Sequence, residues 1–250
     1  MNSKPKFPLF FSDPVALVEG DTRSSYVTFP KNFKFASKTN SIPLAVTEFE
    51  IACLSYPIVF SSDENVAPVS IVGLRAEENL FIDEGYAWLS NIYVPAYVRK
   101  YPFILNQSES DDLLTLCVDS ECLGDPGTGL PVFKDNNPNT EISAALDFCK
   151  NFHTAWHQTE NFVSVLRDNN LLSEKRADVE ISTGSKLSLG GFSLIDRDKF
   201  ENLMNTDEGR ARFNPSQIAA VYAHFFSLNN WQTLINLQSH KVTLLNEKEQ

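Results

Sequence analysis

The chain has 250 residues, enough for one or two domains and for an apolar core that needs no metal or disulfide staple. With 42% hydrophobic and 21% charged residues, 10 glycines and 13 prolines, it is not collagen-like, low-complexity or extensively disordered. Its 21 basic against 32 acidic side chains leave a formal charge of -11, which repels phosphate backbones and anionic lipid and sets nucleic-acid and membrane-surface roles aside.

Residues 1–40 read as an irregular arm, anchored by Phe7, Phe10, Phe11, Phe29, Phe33 and Phe35. Thr47 is placed to cap a short helix through Cys53, with Glu50 at the reciprocal capping position. Strands are predicted at Tyr56 to Phe60, Val69 to Leu74, Asn79 to Ile82 and Leu113 to Val118, the last bounded by Asp111-Asp112 and Asp119. From Thr140, taken as N-cap, to about Asn169 the period changes. Ile142, Ala145, Leu146, Cys149, Phe152, Trp156, Val163 and Leu166 recur at three and four, the mark of one long amphipathic helix. Extended structure resumes at Val179 to Ile181 and Leu187 to Leu194, and Asp196 caps a helix through Phe200, Leu203 and Met204. Asn214, Pro215 and Gln217 open a further helix with the stripe Ile218, Val221, Tyr222, Phe225, Phe226. Asn229-Asn230 is expected to break it before a second helix with Trp231, Leu234 and Ile235, and the tail beyond His240 to fray. The fold class is therefore α+β: a mostly antiparallel sheet packed against a long amphipathic helix and a C-terminal helical hairpin.

Four cysteines (Cys53, Cys117, Cys122, Cys149) form no CxxC, and reduced thiols are preferred over a single Cys117–Cys122 disulfide. The four histidines (His153, His157, His224, His240) lie in no HxD, HxE or HExxH setting. His153 and His157 share an i, i+4 spacing but lack a third ligand, so no metal or other cofactor is expected. Leu123 to Gly129 lacks the Lys-Ser/Thr ending of a phosphate loop and reads as a turn. There is no G-x-S-x-G elbow. No run approaches a spanning length or a secretory apolar region, so the expected location is cytoplasmic, with cell-surface delivery by non-classical export as the alternative.

Two candidate sites remain. His153, Glu160 and Arg167, spaced by seven, are placed along the apolar stripe of the long helix, where Glu160 would be a base and Arg167 an anion clamp. An inter-element salt bridge is the plainer reading of that row. The second is the stretch Tyr93 to Phe103: Tyr93, Tyr97 and Tyr101 fall on one helical face, with Arg99 and Lys100 as cations beside them. It reads either as an exposed docking surface for a protein or peptide, or as rings packed under the sheet.

Tyr56-Pro57-Ile58-Val59-Phe60, Glu78-Asn79-Leu80-Phe81, Tyr93 through Phe103, Gly191-Phe192 and Ser227 through Trp231, in that order, resemble the bacterial SapC family, named after a surface-array (S-layer) locus protein. The likeness runs from about Pro43 to Leu237 and gives a single SapC-like α+β domain over 41–245 behind the 1–40 arm; Lys100 stands where a second Arg is expected. The resemblance implies a non-enzymatic accessory or interaction protein of a surface-layer or outer-envelope system and supplies no catalytic residues. The alternative is a small-ligand-binding or modifying enzyme beside an outer-membrane uptake or halogenase-like pathway, using the His153, Glu160, Arg167 row.

Overall fold

The apolar runs are short, and every strand pair among the described residues is antiparallel. The computed structural model describes residues 7–21, 25–62, 65–107, 114–135, 137–181, 184 and 186–248. It is α+β, with antiparallel sheets, one long helix and a C-terminal helical segment. The chain divides into two compact units, residues 1–35 with 97–154, and residues 36–96 with 155–250.

In the first unit, Pro14–Ala16, Leu114–Asp119 and Phe103–Gln107 form a three-stranded sheet with Leu114–Asp119 in the centre. Pro14 is tolerated because its strand is an edge, where one side of the ladder needs no donor. The arm is thus ordered over these residues and gives up a strand that its irregular composition did not announce. Its phenylalanines act as anchors: Phe10 packs on Phe35 and Tyr97, Phe11 on Tyr101, and Phe29 on Phe103. The core gathers Val27, Phe103, Leu116, Val118, Val132, Ile142 and Cys149. Thr140–Asp168 is a single 29-residue helix, and its first half supplies Ile142 and Cys149 to this core. Leu113 and Asp111-Asp112, expected at the start of a strand, lie outside the described residues.

The second unit is built on a five-stranded sheet in the order Leu172–Glu180, Lys186–Ile195, Ile58–Ser61, Pro68–Ile71, Ser41–Pro43. Ile58, Val59 and Phe60 are fully buried in its middle strand. Asn79 to Ile82 is not a strand. The Asn79 amide donates to the Ala36 carbonyl (3.1 Å) and its oxygen accepts from the Phe81 N–H (3.0 Å), which turns the backbone locally in competition with a ladder. The short helix begins differently from expectation. A 3-10 turn over Val46–Glu48 precedes Phe49–Ala52, and the reciprocal carboxylate is Glu48, which accepts from Ala45 N–H, rather than Glu50.

Asp196 caps Arg197–Met204, and Asn214 with Gln217 forms the expected capping box on Pro215–Ser227. The unpredicted helix Asp207–Ala211 is capped by Thr206. Leu228–Asn230 is a 3-10 turn, and Trp231–Lys248 stays helical well past His240, where fraying was expected; residues 249–250 lie outside the described ones.

Candidate functional site

The tyrosine-rich stretch is organised from within by one acid. Glu48, 6% exposed, accepts hydrogen bonds from Ala45 N–H (3.0 Å), the Tyr93 hydroxyl (2.8 Å) and Ala96 N–H (2.7 Å). The Tyr56 hydroxyl donates to the Tyr93 carbonyl and accepts from the Trp88 indole N–H (3.1 Å). Burial pushes the Tyr56 phenol far above its ordinary value, so it stays a neutral donor. Tyr56 and Tyr93, two residues that carry the family likeness, are therefore joined in a mostly buried hydrogen-bond network. Sequence reasoning missed Glu48, because its partner at the cap position is an alanine with no capping side chain to advertise it.

The helix at the following residues is only Ala96–Arg99, and the stretch divides between buried and exposed side chains. Tyr97 and Lys100 are buried, Tyr93 and Tyr101 are half-buried, and Arg99 alone is exposed. Arg99 lies over the Phe148 ring. Tyr101 stacks on Phe35 with ring centroids 4.1 Å apart. The i, i+4 spacing fixed which side chains share a face but not which face meets solvent, and a four-residue helix offers no free face.

The Lys100 ammonium sits 4.3 Å from the Tyr97 ring centroid, 5.0 Å from Phe11 and 5.5 Å from Phe152. Three ring faces favour the cation, yet burial wins and lowers its pKa to about 8. Lys100→Met should therefore stabilise the protein at pH 7 by about 1–2 kcal/mol, since methionine fills the cage without a buried charge. The unfolded chain binds the extra proton between about pH 8 and the ordinary lysine value, so wild-type stability rises through that window and the gain shrinks. Urea unfolding of both proteins at pH 7 and pH 10 measures it; a methionine variant weaker than wild type at pH 7 would contradict it.

The His153, Glu160, Arg167 row does not run along the apolar stripe. Phe152, Thr159 and Leu166 carry the more buried line, and each member of the row lies one residue, about 100°, further round. Glu160 and Arg167 are exposed, and His153 belongs to the first unit whereas they belong to the second. Glu160 pairs with His157, Nδ1 to Oε2 at 3.0 Å. Glu160 and Arg167 nonetheless line the same open groove of about 470 Å³, together with Trp156, Ser164, Asp168 and Asn65. Among the described residues no group of three or more His, Cys, Asp or Glu side chains could hold a metal ion. The Leu123 to Gly129 segment is a turn, with the Asp125 carbonyl accepting from the Thr128 and Gly129 N–H groups at 3.1 Å.

A surface that the sequence did not reveal lies on the helices Phe49–Ala52 and Pro215–Ser227, which pack on each other. Leu54 is 72% exposed, Phe226 65%, Ile51 47% and Tyr222 41%. Asn230 ties the two elements by donating to the carbonyls of Cys53 (2.7 Å) and Tyr56 (3.2 Å). Ser227 Oγ accepts from Ile58 N–H (3.0 Å) beside them. The Phe226 and Leu54 side chains are thus held outward on a fixed scaffold.

No helix among the described residues is long and apolar enough to cross a membrane. No curated protein and no solved structure matches the chain. The SapC family model matches residues 23–234, a span that takes in Glu48, Tyr56, Tyr93 and the exposed apolar face, and the chain belongs to the SapC family.

Proposed function

We propose that this chain is a non-enzymatic accessory protein of a bacterial surface-layer or outer-envelope system, and that it works by docking a partner protein. The observation that carries the reading is the Ile51, Leu54, Tyr222, Phe226 face, where large apolar side chains stand in solvent on well-braced helices. Tyr93 supports that face indirectly, since the Glu48 network built on it holds the turn leading into Phe49–Ala52. With a formal charge of -11 on the chain and Glu50 beside Ile51, the partner is one that presents an apolar patch with a basic rim. The four free thiols, of which Cys117, Cys122 and Cys149 are buried, favour a reducing, cytoplasmic setting for this encounter.

Leu54→Ser combined with Phe226→Ser tests the reading. Both side chains already face water, so the thermal midpoint should move by no more than about 2 °C. Cross-linking in the native bacterium should lose envelope-associated proteins that wild type captures and a distant surface variant retains. The same captured set from the double variant would refute the docking face.

A further inference from the structure

We draw no further inference here: the strongest candidate, the groove of about 630 Å³ where Glu50, Gln158 and Asn161 face the N-terminus of the Pro215–Ser227 helix, rests on a helix N-terminus whose Asn214 and Gln217 side chains are already spent on capping each other's backbone N–H groups (2.9 and 3.0 Å), and no buried, unpartnered side chain among the described residues lines it.

Discussion

Glu48→Ala should cost the protein about 3–5 kcal/mol, because it leaves three donors in the interior without an acceptor. The acid is 6% exposed and receives Ala45 N–H, the Tyr93 hydroxyl and Ala96 N–H within 2.7–3.0 Å. Two of those donors are backbone amides that no side-chain movement can redirect, so the desolvation penalty falls in full. For a chain of this length the loss corresponds to a fall of roughly 10 °C or more in the thermal midpoint. Glu48→Gln separates acceptor loss from loss of shape. Its amide oxygen can still take Ala96 N–H and the Tyr93 hydroxyl, but its amine meets the Ala45 N–H donor to donor, so an intermediate cost is expected. Tyr93→Phe removes one hydroxyl donor and should cost about 1 kcal/mol, near the usual net value of one hydrogen bond. Urea unfolding of the three variants orders them; an alanine variant within about 1 kcal/mol of wild type would show that Glu48 does not hold this segment together.

What the amino-acid pattern could and could not foretell follows from which forces are local. The helices Thr140–Asp168 and Pro215–Ser227 were legible because each buries one stripe and the second carries its own cap chemistry at Asn214 and Gln217. Leu172–Glu180 was read only near its end. Glu174 to Arg176 are exposed on both faces, so no alternation develops there, and pairing with Lys186–Ile195 supplies the order instead. The stripe on Pro215–Ser227 includes Phe225 and Phe226 as adjacent members, yet Phe225 is 6% and Phe226 65% exposed. Sequence spacing cannot make that choice, since it depends on where Phe200 and Phe60 stand in the folded unit. The same limit explains Tyr97 and Lys100. A cation in an acidic chain reads as surface by composition, and only the placement of Phe11 and Phe152 around it reveals a cage. The candidate pair Glu160 and Arg167 was found by its spacing, but the reason given for it, a place on the core stripe, was off by one residue of helical rotation.

His224 sets the acid limit of the second unit. Its ring is fully buried between Phe60 and Phe225, with centroids 5.5 and 5.6 Å away. Nε2 accepts the Ile195 N–H at 3.1 Å, which leaves the proton on Nδ1. Burial, opposed by a backbone hydrogen bond to Ile58 and aided by the Arg197 charge, lowers the imidazole pKa to about 4. The unfolded chain takes up this proton near the ordinary histidine value and the folded chain only near 4, so between those limits the unfolded state binds more protons. Stability must then fall as pH falls through that window, by about 3 kcal/mol from this residue once pH 4 is reached. His224→Asn can keep an acceptor toward Ile195 N–H but has nothing to titrate. Its stability at pH 7 should lie below wild type, because a ring is lost from an aromatic cluster, and the gap should close steadily between pH 6.5 and 4. Carboxylates are common to both proteins, and their titration cancels in the difference. Urea midpoints measured at half-unit intervals would settle the assignment, with parallel curves ruling out His224 as the titrating group.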